Sequence, residues 1–244
     1  DKYLLSIFSD IDQVGRYASF SEFILQGLTV IFVIPYLTFY PRLVSLKIDN
    51  ESAMTELYGF FGSLMLLGSF SLVLMGHGFP DQIGTLIWGE RYGLDDSAVL
   101  VNVLVVAIAL FGLKTFLIDP IFHLYDKTSI LLISAACMGL INLLLGIWLI
   151  PTLGAIGAAL STLVSFSVGL LISFSAALFL HPRLIGHAVR LAFPSIGVIS
   201  LGYICVMNLG LFGYLIFIIG TSCIILRHIL SSRYFFVSAE KYND

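Results

Sequence analysis

Residues Ser129 to Ile150 read SILLISAACMGLINLLLGIWLI and include no charged side chain. The hydrocarbon core of a bilayer is about 30 Å thick, and a helix needs roughly 20 apolar residues to cross it. The run is continuous, so it lacks the alternation of apolar and polar residues that marks the strands of a membrane β-barrel. This stretch therefore predicts a transmembrane helix.

The composition of the whole chain agrees with that prediction. Of 244 residues, 59% are hydrophobic and 11% are charged, and the mean hydropathy is +1.02. A soluble domain averages roughly 45–50% apolar and about 25% charged residues. The composition excludes a soluble globular enzyme and a disordered chain, and a net charge of −3 offers no basic surface for nucleic acid.

Cysteine usage predicts neither a disulfide scaffold nor a metal site. Cys137, Cys205 and Cys223 each lie inside an apolar run, with no CxxC pair and no histidine at metal-binding spacing. We therefore expect no metal and no cofactor.

The template of one long apolar run per helix fits the chain at seven places, labelled spans A to G. They are Tyr17–Phe39, Leu57–Met75, Ala98–Ile118, Ser129–Ile150, Ala155–Leu180, Leu191–Met207 and Leu211–Leu226. We expect an all-α integral membrane protein, a bundle of about seven transmembrane helices in a single domain over residues 1–244. The longest connection carries Ile83 to Trp88, which predict a short interfacial helix. No loop is large enough for a catalytic domain, so we expect no enzyme and no catalytic residue.

The basic residues predict an orientation. Of 12 Lys and Arg, three fall on the side of residue 1 (Lys2, Arg16 and Arg91) and nine on the other side, namely Arg42, Lys47, Lys114, Lys127, Arg183, Arg190, Arg227, Arg233 and Lys241. The richer side is cytoplasmic by the positive-inside rule, which places the C-terminus inside and residue 1 outside. No signal-like segment precedes span A. We therefore expect at least one more span upstream and interpret the chain as the C-terminal part of a larger transporter.

Span A carries a line of polar residues along one helical face: Arg16, Ser19, Glu22, Gln26 and Thr29. An ionised group at the bilayer centre costs several kcal/mol, roughly 2.5–3.5 on insertion scales. The face therefore predicts a cavity lining or a polar contact between helices. The alternative is an interfacial Glu22 that pairs with Arg16 or bonds to Gln26.

Two other spans carry single polar groups. Lys114 in span C either extends its ammonium group to the inner interface or faces a central cavity as the counter-charge of an anionic substrate. Asp119 before Pro120 predicts the end of that helix. Asn142 in span D is expected to hydrogen-bond to a neighbouring helix.

Span E has a stripe of small residues. Gly157, Ser161, Ser165, Gly169 and Ser173 recur every four residues, and Gly154 and Ala158 flank the stripe. Small residues at this spacing let two membrane helices approach closely. We expect these residues, together with Asn142, to be packing positions.

A family resemblance rests on three stretches. Asn142–Thr162, NLLLGIWLIPTLGAIGAALST, resembles the N…LIP..G..GAA..T stretch of Wzx-like polysaccharide and O-antigen flippases, which belong to the multidrug/oligosaccharidyl-lipid/polysaccharide exporter superfamily. The opening DKYLL with Val14–Tyr17 is similar to the start of the second lobe of that family. Pro120–Lys127 resembles the hairpin that precedes the LIP stretch.

The resemblance implies a function and partners. Spans A to G would be spans eight to fourteen of a two-lobe transporter, and the N-terminal lobe would be a missing partner. Alternating access would then move polyprenyl-diphosphate-linked oligosaccharide across the bacterial inner membrane, with Arg16, Glu22, Gln26 and Lys114 as candidate cavity residues. Membrane lipids, and a polymerase or ligase of the same pathway, are the other expected partners.

Three alternatives remain open. The chain could belong to a drug or metabolite exporter of the same superfamily. It could be a membrane polymerase or ligase, although the predicted outward loops carry only Arg91 and His77. It could also be a truncated product, and we expect no transport by residues 1–244 alone.

Overall fold

The computed structural model describes residues 2–9, 11–89, 97–186, 189, 201–204, 206, 208, 210 and 212–221. The side chains of residues 12, 13, 16, 28, 87, 88 and 97 fall outside this description. The described part of the chain is almost entirely helical and contains no strand. The helices, in chain order, are α1 (Lys2–Phe8), α2 (Ile11–Asp49), α3 (Glu51–Gly78), α4 (Pro80–Trp88), α5 (Ser97–Gly112), a π-helix (Leu113–Ile118), α6 (Asp119–Leu124) and α7 (Ser129–Leu180).

Helices α2 and α3 form the first antiparallel pair. Asn50 separates them and caps α3, because its side-chain oxygen accepts a hydrogen bond from the Ala53 amide at 3.1 Å. The ring of Phe39 on α2 packs against Phe60 and Phe61 of α3, with ring centroids 5.6 and 5.7 Å apart. This aromatic contact lies inside the main apolar core.

The third membrane-length element runs without interruption from Ala98 to Leu124. It comprises α5, the π-helix and α6, so the prediction that the helix ends at Asp119 is wrong. Pro120 is tolerated because it lies in the first turn of α6, where the missing N–H group costs little. The short helix predicted around Ile83 to Trp88 is observed as α4, and its location at the membrane interface stays a prediction.

Helix α7 is folded back on itself. The hydroxyl of Ser134 donates to the carbonyl of Gly169 at 3.2 Å, across 35 residues that would span about 52 Å in a straight helix. The fold lies at Gly154, the one residue inside α7 with non-helical angles (φ 56°, ψ −129°). Residues 129–153 and 155–180 are therefore two antiparallel limbs, which coincide with predicted spans D and E.

The turn between the limbs is tight. At Gly157 a β-carbon would collide with the backbone carbonyl of Leu149 on the opposite limb. Only glycine adopts the positive φ of Gly154 without strain. These two glycines therefore permit the reversal of the chain.

Four helices are long and apolar enough to cross a membrane: Tyr17–Asp49, Glu51–Gly78, Ala98–Leu124 and Ser129–Leu180. They make the chain compatible with a membrane protein. Spans F and G fall only partly on described residues, where Phe212–Thr221 is a shorter apolar helix. The ring of Phe217 occupies the space of a β-carbon at Gly202, so these two segments also pack together. The total of seven spans stays a prediction.

Candidate functional site

The most buried charges of the described residues lie on one element. Lys114 in the π-helix donates to an oxygen of Asp119 in α6, with 2.7 Å between the atoms. The two side chains are only 6% and 13% exposed. The ammonium of Lys114 is thus neutralised inside the bundle rather than extended to water at the end of its helix. Its predicted role toward an anionic substrate stays a prediction.

The other oxygen of Asp119 reaches α7. It accepts a hydrogen bond from the hydroxyl of Ser173 at 3.0 Å, and the Ser173 hydroxyl also lies 3.2 Å from that of Ser134. Ser134 in turn donates to Gly169 on the second limb. One carboxylate therefore connects α6 to both limbs of the α7 hairpin.

The ion pair depends on the local backbone geometry. The amide of Asp119 donates to the carbonyl of Lys114, which is the i to i+5 hydrogen bond of a π-helix. In an α-helix, the N–H group of residue 120 would donate to the carbonyl of Phe116. Pro120 has no N–H group, so it cannot form this bond. From α3, the buried hydroxyl of Tyr58 donates to the carbonyl of Leu117 at 3.1 Å. The π-helix is thus held by its neighbours as well as by its own side chains.

A second polar cluster joins α2 to the α7 hairpin. The amide nitrogen of Asn142 lies 3.5 Å from the hydroxyl of Thr162 and 3.4 Å from that of Ser165. The Thr162 hydroxyl is also 3.4 Å from that of Tyr17. Asn142 therefore bonds across helices, as its position in an apolar span predicts.

The small residues of span E lie between the two limbs of α7. Gly157, Ser161, Ser165 and Gly169 are all buried. At Gly169 a β-carbon would collide with the sulfur of Met138 on the first limb. Gly154 differs from the packing role predicted for it, because it forms the turn itself.

The polar face of α2 points away from the core. Glu22 and Gln26 are exposed, and the amide of Gln26 donates to the Glu22 carboxylate at 2.7 Å. Glu22 forms an ion pair with Lys2, whose ammonium contacts the carboxylate directly. The predicted partner Arg16 lies in α2, but its side chain is outside the described part of the structure.

A third cluster lies where α2, α6 and α7 end. The ammonium of Lys47 donates to the carbonyl of Leu124 and sits 4.7 Å from the centre of the Tyr125 ring. His181 stacks on Tyr125 with centroids 3.7 Å apart. Burial lowers the pKa of His181, the nearby Lys47 charge lowers it further, and Glu51 opposes this. Burial raises the pKa of Tyr125, and the Glu51 carboxylate adds to the rise.

Sequence reasoning missed the partners of these polar groups. Lys2 and Ser134 were not predicted as contact residues, and Ser173 was predicted only as a packing position, because their contacts join elements that are distant in sequence. A usable signal was the presence of Lys114 and Asp119 in one continuous apolar element, since two opposite charges there need each other. In the part of the chain that the structure covers, no three His, Cys, Asp or Glu side chains group as metal ligands do.

Comparison with known proteins adds no relative: no family model, no curated protein and no solved structure matches the chain.

Proposed function

We propose that the chain is one lobe of a transporter that flips lipid-linked oligosaccharide units across the bacterial inner membrane. In this proposal it contributes seven spans with the C-terminus in the cytoplasm, and a second, N-terminal lobe completes the cavity. The substrate class rests on the resemblance of Asn142–Thr162 and the flanking stretches to polysaccharide flippases. The transport role rests on the polar face of α2.

The observation that carries the transport role is the position of Glu22 and Gln26. They lie in a helix of membrane length, yet they are exposed, and the contact from another described helix is the ammonium of Lys2 on α1, which reaches Glu22. A carboxylate turned toward acyl chains would cost several kcal/mol, roughly 2.5–3.5 on insertion scales. A water-filled cavity, or the surface of a second lobe, removes that cost.

The neighbouring surfaces support the same arrangement. The first limb of α7 exposes only apolar side chains over a long face, among them Leu140, Leu144 and Trp148. A face of that kind suits lipid. We therefore assign the α7 surface to the bilayer and the Glu22 surface to the cavity, where the sugar moiety of the substrate would pass.

The two ion pairs differ in exposure. The pair formed by Lys2 and Glu22 is exposed, whereas Lys114 is buried with Asp119. An anionic diphosphate would need a cation that is not already neutralised. Lys114 therefore serves the substrate only in a state in which Asp119 has released it.

Deletion of the intact gene, followed by analysis of lipid-linked sugars on each membrane face, tests the proposal. Repeat units trapped on the cytoplasmic face, with loss of the surface polymer, are the expected result. Outward-facing units that are not polymerised would point instead to a polymerase or ligase. Unchanged glycolipids with new drug sensitivity would point to an exporter, and either result would overturn the proposal.

A further inference from the structure

We propose that residues 113–119 form a conformational switch between a π-helix and an α-helix, held in the π form by the ion pair of Lys114 with Asp119. The inference stands on the geometry of this segment and does not depend on what the protein transports. If the switch operates, α6 turns about its axis and leaves α7.

The spacing of the two charges is the first argument. Lys114 and Asp119 are five residues apart. In an α-helix each residue advances by about 100°, so side chains five apart point in directions about 140° apart. In a π-helix the i to i+5 hydrogen bond brings the same two residues onto one face. The ion pair therefore forms in the π geometry and is broken by conversion to the α geometry.

Side chains of neighbouring helices also stabilise the π form. Ser173 of α7 donates to Asp119, and Tyr58 of α3 donates to Leu117. The two donors lie on two different neighbouring helices. π-turns are rare in proteins, and those that occur are often found at functional sites. The segment is thus held by a small number of identifiable bonds, each of which conversion would disturb.

Conversion has a definite geometric consequence. A π-turn accommodates one extra residue, so its loss rotates everything beyond it by about 100° relative to α5. In the observed π form, His123 is exposed and Phe122 is fully buried. After the rotation Phe122 takes the exposed direction, and His123 turns into the bundle. Asp119 moves away from Ser173 at the same time.

The test uses cysteine reactivity in the full chain, reconstituted in vesicles, with Cys137, Cys205 and Cys223 replaced by serine. Single cysteines replace His123 or Phe122 and react with a water-soluble, electrophilic thiol reagent, which only an accessible thiolate attacks. The substitution Asp119→Asn releases Lys114. We expect it to slow labelling at position 123 and to speed labelling at position 122, each by about tenfold.

Deletion of Thr115 supplies the decisive comparison. It removes the extra residue and brings Lys114 and Asp119 to an i, i+4 spacing, at which the pair forms on an ordinary α-helix. In this shortened chain Asp119→Asn should leave both labelling rates within about twofold of the parent, because no π-turn remains to convert. Equal effects of Asp119→Asn in the long and short chains would show that the substitution only loosens packing, and would overturn the proposal.

A milder variant covers the case in which Asp119→Asn does not fold. Ser173→Ala removes one bond to Asp119 and leaves the ion pair, and we expect the same reciprocal change at a smaller amplitude. Ser167→Ala is the matched control, because the Ser167 hydroxyl donates to the carbonyl of Leu163 within its own helix. No reciprocal change in Ser173→Ala, or the same change in Ser167→Ala, would contradict the switch.

Discussion

Met138 and Gly169 face each other across the α7 hairpin, and the sulfur of Met138 fills the space that a β-carbon at position 169 would need. The contact fixes how closely the two limbs approach. It also places Gly169 next to the ion pair, because its missing β-carbon would lie 3.2 Å from Cε of Lys114.

Gly169→Ala should therefore destabilise the protein. Overpacking of this kind costs about 1–3 kcal/mol, and the loss should appear as a lower thermal midpoint in detergent micelles. Met138→Ala should restore most of it by vacating the space. Gly139→Ala is the control, since nothing lies within 4 Å of a β-carbon there. Equal destabilisation at positions 139 and 169 would mean that the limbs do not pack as described.

Gly157→Ala and Gly154→Ala test the turn of the hairpin. At position 157 the new methyl group meets the Leu149 carbonyl, which is backbone and cannot turn away. At position 154 the cost is conformational, about 1–3 kcal/mol, because φ is 56°. Met138→Ala should rescue neither variant, whereas it rescues Gly169→Ala. A Gly157→Ala protein as stable as the parent would contradict the close approach of position 157 to the Leu149 carbonyl.

The ion pair should behave as a buried pair. Removing one partner leaves an uncompensated charge, so Lys114→Met or Asp119→Leu alone should each cost about 3–5 kcal/mol. The double variant should be much less destabilised than either single one, because no charge is then left buried. Unfolding measurements on the four proteins give the coupling energy directly. Additive losses would mean that the two side chains do not interact.

The cluster at Tyr125 predicts a dependence on pH. Burial and the Lys47 charge hold the pKa of His181 below its ordinary value of 6.5, so protons bind to the unfolded chain first as the pH falls. Stability is therefore full above about pH 6.5 and declines below it until folded His181 is also protonated. His181→Phe keeps an aromatic ring on Tyr125 and should weaken this acid-dependent loss of the thermal midpoint. His77→Phe, at an exposed site, should leave it unchanged.

The apolar runs of spans A to E predicted the four helices of membrane length, because hydropathy is a local property. Spans D and E, Ser129–Ile150 and Ala155–Leu180, meet at the observed turn, since Pro151 and Gly154 interrupt the run where the backbone must reverse. The helix containing Asp119 and Pro120 was cut short in the prediction. A proline normally marks the end of a helix. Here a π-helix precedes Pro120 and lets the helix continue, and a π-helix has no distinct sequence pattern.

The partners of the polar residues could not be predicted to the same extent. Gln26 lies four residues from Glu22, so the hydrogen bond between them could be predicted from the sequence. Lys2 reaches Glu22 because α1 packs beside α2, which is a tertiary contact. The pairing of Lys114 with Asp119 was not predicted, because residues five apart do not share a face in an α-helix.

A transport role requires that the Glu22 and Gln26 face of α2 lines an aqueous cavity. The direct measurement is labelling of Gln26→Cys in the cysteine-free protein, in native membranes, with a membrane-impermeant thiol reagent. The control is Leu144→Cys, at a side chain that is 58% exposed on the apolar face of α7. We predict labelling at position 26 at least about tenfold faster than at position 144, because only a thiol in water ionises readily. Equally slow labelling at both positions would place the α2 face in lipid and contradict the transport role.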